Sequence, residues 1–375
     1  MKISRRSVLH ISGLAAAALA LTGCSAAGSA ALGGKLPGLL KGLTKKGETA
    51  ASSEAASDMA VTPPPEGEQL DPAFGVMPEY DADILTGAER STNSRPVAVM
   101  VNNIANSQRQ NARPQRGIGS ADLLIEAKVE GGITRFMPVF NDYHDIDEIG
   151  PIRSGRDQFF QLILPWQALY IHEGQSVVMQ QYALDYDYGL LNNNDGAAGY
   201  RDYNRVNWRG LSYGNGLALE HTMYTSGENI EKYITNKNVD MNRTYNSTFF
   251  NFVDYRQDNP VRDLTQSQDS QLTTKDGTVV KDGEYVEISH SQSYKTRFIY
   301  DESTNEYKMQ QNYSDGQWRD TVDEAADNKV LTFPNVIVLY TDIHTYPGHE
   351  AKDLQYVVLH LAHAVQLDVL IITIR

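Results

Sequence analysis

Seven charged or titratable side chains stand in or beside apolar runs, where an unpaired charge is costly to bury. They are Glu126, Glu130, Arg135, Arg153, Arg156, His172 and His221. Acids and bases in such a setting are expected to meet one another. The cluster could be a structural ion-pair network, a site for an anionic ligand, or the centre of an acid–base reaction. The residue types leave these three roles open.

Glu126 and Glu130 are the candidates for acid–base chemistry. They are four positions apart, and on a strand such residues point to the same face. One protonated and one ionised carboxyl at a single site are what acid–base hydrolysis needs, with His172 as a third group. The same geometry equally suits two carboxylates clamped by arginines, whose planar forks also bind anionic ligands.

Metal, cofactor and nucleophile chemistry find little support in the sequence. His172-Glu173 and Glu220-His221 lack metalloprotease spacing, and neighbouring strand residues face opposite sides of a sheet. Ser176 opens a predicted helix and is a better helix cap than a nucleophile. The sequence contains no phosphate-binding loop or dinucleotide fingerprint. We therefore predict no metal and no cofactor, and we assign no catalytic residue.

The elements that would position these residues predict an α/β domain with a mixed sheet, followed by a smaller β-rich domain. The central pair of strands covers 123–129 and 133–140, with Gly131 and Gly132 providing the positive φ of a tight reversal. Ser154 and Ser226 are expected to cap helices, as Ser176 is. Three strands at 284–290, 295–300 and 306–311 open the β-rich domain.

The N-terminus predicts export and lipidation. Positive residues precede an apolar run at 11–21 that is too short to span a bilayer. Leu21-Thr22-Gly23-Cys24 then resembles a bacterial lipobox, and Cys24 is the only cysteine in the chain. We predict a signal peptide over 1–23, a lipid on Cys24 and a disordered tether over 24–93. These features imply a lipid-anchored protein on the extracytoplasmic face of the cell membrane.

The charge of the chain bears on its partners. A formal net charge of −14 argues against nucleic acid, whose phosphates would repel the protein. Cleavage would remove Lys2, Arg5 and Arg6, leaving −17. The lipid, rather than attraction to anionic headgroups, must then hold the protein at the membrane. Ser4-Arg5-Arg6 also resembles a twin-arginine signal, so the export route stays open.

Several motifs resemble those of the YerB-like lipoproteins. They lie at 95–100, 112–115, 125–126, 130–136 and 150–154, followed by the spacing to His172 and Gly174. The resemblance covers about residues 94–345. It implies an α/β domain over 94–257 and a smaller C-terminal domain over 258–375, after the signal and the tether. It implies no catalytic residue, because the family has no assigned function.

Our leading hypothesis from the sequence is a protein that binds a cell-envelope ligand through a charged pocket near Glu126, Arg135 and Arg153. A cell-wall glycan, a peptidoglycan fragment or an envelope protein would each fit. The alternative is a cell-envelope hydrolase that uses Glu126 and Glu130. The residues after about 357 depart from the family pattern, and we hypothesise a change of reading frame near that position.

Overall fold

The computed structural model describes residues 9–10, 79–194, 196–202, 216–244, 250, 252, 283–352, 354–358 and 368–374. All of them belong to one compact unit of the chain. Cys24, most of the predicted tether and the predicted domain boundary near residue 258 lie outside these residues.

The described residues form nineteen strands and three α-helices. The strands are β1 (Leu9–His10), β2 (Val97–Val99), β3 (Val101–Asn102), β4 (Leu123–Lys128), β5 (Thr134–Phe140), β6 (Leu169–Ile171), β7 (Asn192–Asn193), β8 (Tyr200–Arg201), β9 (Met223–Tyr224), β10 (Tyr285–Ser289), β11 (Lys295–Asp301), β12 (Glu306–Asn312), β13 (Trp318–Asp320), β14 (Val322–Asp323), β15 (Lys329–Val330), β16 (Thr332–Phe333), β17 (Asn335–Thr345), β18 (Gln355–Val358) and β19 (Asp368–Ile374). The helices are α1 (Asp157–Ile163), α2 (Val177–Asp185) and α3 (Gly227–Lys237). The helices found in the described segments are all too short or too polar to cross a membrane.

The larger sheet has the strand order β1-β17-β19-β4-β5-β2-β6-β7, with β3 beside β5 and β18 beside β17. β2, β6 and β7 run parallel, whereas β17, β19, β4, β5 and β2 alternate in direction. The mixed sheet predicted from the sequence is therefore confirmed. β17 and β19 come from the predicted C-terminal domain but lie in this sheet, and the domain bounds stay a prediction.

The hairpin of β4 and β5 turns through Gly131 and Gly132, whose φ values are 67° and 70°. These positive values confirm the role predicted for the two glycines. In the register that follows, Glu126 lies opposite Phe136 and Ala127 opposite Arg135. Opposed residues share a face of the sheet and successive residues alternate. Glu126 and Arg135 therefore point to opposite faces.

Each face of the larger sheet has its own core. The face that carries Ala127 packs against α1 and α2 through Phe159, Phe160 and Met179. The face that carries Phe136 packs against Ile230 of α3 and against the second large sheet. That second sheet has the order β10-β11-β12-β13, with β16 beside β12. Its first three strands confirm the β-rich region predicted after the α/β region.

The helix starts show where local sequence decides the structure. Ser176 caps α2 by accepting a bond from the Met179 amide, and Ser226 caps α3 in the same way. The predicted cap of α1 at Ser154 is wrong, because α1 begins after Arg156 and has no side-chain cap. The segment before α1 stays extended, since Gly155 bridges to Gln175 in the neighbouring loop.

Candidate functional site

Glu126 lies in a closed polar cluster between the two large sheets. Thr134 and Thr296 each donate a hydroxyl hydrogen bond to its carboxylate, both at 2.7 Å, and Asn103 donates at 3.3 Å. His290 is an ionisable neighbour, and its Nε2 lies 3.6 Å from Oε2. Glu126 is only 2% exposed and His290 3%. We call these five residues the Glu126 cluster.

The chemistry of the Glu126 cluster is that of a structural anchor. Burial acts to raise the pKa of Glu126, but His290 and the two threonine hydroxyls outweigh it and lower that pKa. The carboxylate is therefore held in its charged form by contacts with both sheets. Since it has no opening to solvent, the prediction that Glu126 belongs to the same pocket as Arg135 and Arg153 is wrong. The register of β4 and β5 explains why.

A second cluster forms on the other face, at the end of the β4–β5 hairpin. Glu130 contacts Arg156 Nε directly and Arg135 Nη2 at 3.9 Å. Arg135 Nη1 donates to the carbonyl of Ser154, which also accepts from Arg156 Nη1 at 3.3 Å. We call Glu130, Arg135 and Arg156 the arginine cluster. It joins the hairpin to the extended segment before α1.

Arg135 is the buried member of the arginine cluster. It is 3% exposed, and its Nε has no hydrogen-bond partner among the described residues. Burial, together with the nearby charge of Arg156, lowers the pKa of Arg135 to about 9 despite the opposing effect of Glu130. A guanidinium with that pKa stays protonated at neutral pH. The formal charges of Glu130, Arg135 and Arg156 therefore sum to plus one, and burial of Arg135 leaves its charge poorly solvated by water.

Glu126 and Glu130 do not share a site. Glu130 follows the end of β4 at Lys128, in a short 3-10 turn, so the strand periodicity that would align the two carboxylates stops before it. Its partners are arginines on the helix-covered side, whereas those of Glu126 are on the other side. The structure therefore does not bring the two carboxylates together, as the acid–base hypothesis would require.

An open cleft of about 370 Å³ lies next to the arginine cluster. Its lining residues come from four separate segments: Arg153, Glu173, Gly174, Arg201, Leu219 and Glu220. Glu173 follows the carboxyl end of β6, which runs parallel to β2. In mixed and parallel sheets, ligands bind outside the carboxyl ends of such strands. The cleft is our candidate functional site.

Arg153 is the link between the cleft and the arginine cluster. Burial and the charge of Arg156 lower its pKa, while Glu220 opposes them. Its one hydrogen bond from the guanidinium to the described residues is a long one, 3.5 Å from Nη1 to the Glu220 carbonyl. Arg153 is held in place by its backbone, because its amide donates to Met100 and its carbonyl accepts from Glu173.

His172 supports the floor of the cleft. Its ring is fully buried, and Nδ1 lies 2.7 Å from the carbonyl of Gly174 while Nε2 lies 2.6 Å from the Asn192 side chain. A Cβ on Gly155 would lie 3.0 Å from this ring, so the two loops meet at a glycine. Burial lowers the pKa of His172 to about 4. The ring is not bonded to Ser176, whose hydroxyl accepts from the Met179 amide instead.

His221 is a structural residue behind the cleft. Asn102 donates to its Nδ1 at 2.7 Å, and its Nε2 donates to Gln110 at 2.8 Å, an arrangement that requires a neutral ring. Burial and the charge of Arg153 lower the pKa of His221 to about 4. The carboxylate of Glu220 lies 3.4 Å from Nε2.

The structure thus brings together four of the seven predicted residues, Glu130, Arg135, Arg153 and Arg156, with the two histidines packed nearby. Glu126 stands apart. Sequence reasoning missed Arg201 and Leu219 as cleft residues, and it considered Glu173 and Glu220 only as metal ligands. Among the described residues there is no group of three or more potential metal ligands. Tyr200, the neighbour of Arg201, donates its hydroxyl to Glu148 at 2.7 Å.

Comparison with known proteins adds a family context. Residues 85–240 match the family described as "Protein of unknown function (DUF3048) N-terminal domain". The chain is also 30% identical to "Putative lipoprotein YerB" of Bacillus subtilis (strain 168), over 51% of this chain and 61% of that protein. The resemblance to the YerB-like family is confirmed. The matched part thus spans less than two thirds of the length of that YerB protein.

The fold is YerB-like as well. The crystal structure of the YerB protein from Bacillus subtilis aligns with a TM-score of 0.50 and 22% identity, covering 74% of this chain and 79% of the other. The DUF3048 match includes every residue of the cleft and of the arginine cluster. The matched family is described as one of unknown function, so the match assigns no function to the cleft.

Proposed function

We propose that this chain is a lipid-anchored protein on the extracytoplasmic face of the cell membrane, where it binds a cell-envelope ligand in the cleft. The observation that carries the binding proposal is the guanidinium of Arg153, which lines the cleft and makes only one long hydrogen bond to the described residues. The lipobox at Cys24 supports the anchor, as does the description of the Bacillus subtilis relative as a putative lipoprotein.

The proposed pocket is smaller than the one expected from the sequence. Glu126 is left out, because it is sealed between the sheets. Arg135 and Arg156 act from behind Arg153, where their positive charge favours an anionic group bound at the open side. No observation favours the hydrolase alternative, since its two carboxylates have separate partners.

The volume of the cleft favours a small ligand among those expected from the sequence. About 370 Å³ lies at the small end of the range of roughly 300 to 1,000 Å³ that is typical of small-molecule sites. A peptidoglycan fragment therefore fits better than a long glycan strand or the broad surface of a protein. Planar arginine forks bind the carboxylates that such fragments carry.

The binding test uses the mature chain and a soluble muropeptide mixture, made by muramidase digestion of purified cell wall. We expect saturable binding by calorimetry, with an affinity reduced at least tenfold in Arg153→Gln. The matched control is Arg319→Gln, since Arg319 is an arginine paired with Asp315 in the β-rich region, away from the cleft. Equal loss in both variants, or binding by neither protein, would refute the proposed site.

The anchor has its own test. Cys24→Ser should abolish incorporation of a labelled fatty acid and release the protein from the membrane fraction without changing its circular dichroism. If Cys24→Ser protein stays in the membrane fraction and still takes up the label, the lipobox assignment is wrong.

A further inference from the structure

We infer that the ligand of the cleft is a small zwitterion, a short peptide with a free carboxylate at one end and a free ammonium at the other. This inference rests on the proposed function, because it takes the cleft to be the ligand site. It goes further by naming the two groups that would recognise the two ends of the ligand. They are the Arg153 guanidinium and the Glu220 carboxylate.

The lining of the cleft has balanced charge. It carries two arginines, Arg153 and Arg201, and two glutamates, Glu173 and Glu220, with Leu219 as its apolar member. A polyanion such as a phosphorylated glycan would meet both carboxylates at close range, which is unfavourable. A ligand that carries one positive and one negative charge can place each charge next to a lining residue of the opposite sign.

One of the two cation–anion pairs is already satisfied. Arg201 Nη2 contacts the Glu173 carboxylate, and its Nη1 donates to the carbonyl of Leu219 at 2.7 Å. This pair holds the β8 segment against the loop after β6. Arg201 and Glu173 therefore shape the cleft, and their charges are already paired with each other rather than available to a ligand.

The other pair is not closed on itself. Arg153 donates to the backbone carbonyl of Glu220 and not to its carboxylate. The Glu220 side chain is 48% exposed, and its carboxylate lies 3.4 Å from Nε2 of the ionisable ring of His221. That ring is bonded to Asn102 and Gln110 in its neutral form, so it does not neutralise the carboxylate. The charges of Arg153 and Glu220 act on each other, but among the described residues neither side chain is closed into an ion pair with a Lys, Arg, Asp or Glu, so each can receive one end of a ligand.

The orientation of the ligand follows from the charge behind Arg153. Arg156 and Arg135 lie on that side, where Glu130 and Asp157 are their acidic neighbours. A carboxylate placed at Arg153 is attracted by its guanidinium, whereas an ammonium there would be repelled by it. The carboxylate end therefore lies at Arg153 and the ammonium end at Glu220. Leu219, which is 45% exposed, offers an apolar contact to the part between them.

The experiment measures the affinity of the mature chain for trialanine, in its L and D forms. The same peptide is also measured with the amine acetylated, with the carboxylate amidated, and with both ends capped. We expect the free peptide to bind and each cap to weaken binding at least tenfold. In Arg153→Gln the amide cap should make no further difference, and in Glu220→Gln the acetyl cap should make none. Arg319→Gln should show the wild-type pattern.

The outcomes separate this inference from the proposed function. If muropeptides bind through Arg153 but trialanine does not, or if capping changes nothing, the zwitterion is wrong and the binding site stands. If neither probe binds, both proposals fail. If amidation of the carboxylate leaves the affinity of Glu220→Gln unchanged, and acetylation of the amine leaves that of Arg153→Gln unchanged, the proposed orientation is reversed and therefore wrong.

Discussion

Replacing Glu126 by alanine is expected to destabilise the protein strongly, because this carboxylate is the common acceptor of the Glu126 cluster. Its loss would leave the Thr134 and Thr296 hydroxyls without their acceptor and His290 without its charged neighbour. Thr134 belongs to β5 and Thr296 to β11. The substitution therefore affects the contact between the two large sheets.

The magnitude can be worked from these contacts. A hydrogen bond to a charged group contributes about 1.5 to 3 kcal/mol, and removing one partner of a buried charged pair costs about 3 to 5 kcal/mol. Because the bonds share one acceptor, they are not additive, and we expect about 4 kcal/mol for Glu126→Ala. Glu126→Gln keeps the shape and one carbonyl acceptor, so about 1 to 2 kcal/mol is expected.

The assay is urea unfolding followed by circular dichroism. With a slope of about 3 kcal/mol per molar urea, Glu126→Ala should lower the unfolding midpoint by about 1.3 M. Glu284→Ala is the control, since Glu284 is an exposed carboxylate just before β10, and its midpoint should stay at the wild-type value.

The pH dependence gives a second readout. The folded-state pKa of Glu126 lies below 4.5, its ordinary value. The stabilisation from the charged form is therefore complete above pH 4.5 and is lost as the pH falls through the folded-state pKa. The difference between wild type and Glu126→Gln should be constant from pH 7 to pH 5 and should shrink below that. A cost under about 1 kcal/mol for Glu126→Ala, or a difference that grows in acid, would refute the anchor role.

Three further predictions concern the clusters around the cleft. Arg135→Met should cost at least about 2 kcal/mol less stability than Arg135→Ala, because an apolar chain of similar volume leaves no cavity and Glu130 keeps Arg156 as its partner; an equal loss for the two variants in urea unfolding would contradict this. The stability of the wild type should fall as the pH drops from 6.5 to 4, because the unfolded chain protonates His221 and His172 before the folded one does. His221→Gln should flatten that profile by up to about 3 kcal/mol at pH 4, and an unchanged slope in thermal unfolding would show that the ring is charged in the fold. Ser176→Ala should cost about 1 kcal/mol through the lost cap of α2, and muropeptide binding measured by calorimetry should stay intact; loss of binding without loss of stability would assign the hydroxyl to the site.

Local features of the fold were predictable from the sequence. The turn between β4 and β5 needed two glycines with positive φ, and Gly131 and Gly132 are adjacent between two apolar runs. The caps of α2 and α3 follow from single serines before helical segments. Each of these features depends on only a few residues that are adjacent in the sequence, so a short stretch of sequence is enough to predict it.

The division of the charged residues was not predictable in the same way. Whether Glu126 and Arg135 share a face depends on the register of the hairpin, and a slip of one residue reverses it. Residues 129–133 separate β4 from β5, and the 3-10 turn over Glu130–Gly132 fixes that register. The cleft residues come from segments near 153, 173, 201 and 219. No local pattern links such distant positions, since only the sheet brings them together.

The position of β19 between β4 and β17 has a consequence for how the chain can mature. Lys128 at the end of β4 and Asp368 at the start of β19 are 240 positions apart. Until β19 has been made, the backbone N–H and C=O groups along this edge of β4 have no strand to pair with. Such distant pairing makes folding slow and leaves an adhesive edge exposed meanwhile. The larger sheet therefore cannot close until β19 has been synthesised, and a chain with such an unpaired strand edge needs protection by a chaperone in the meantime.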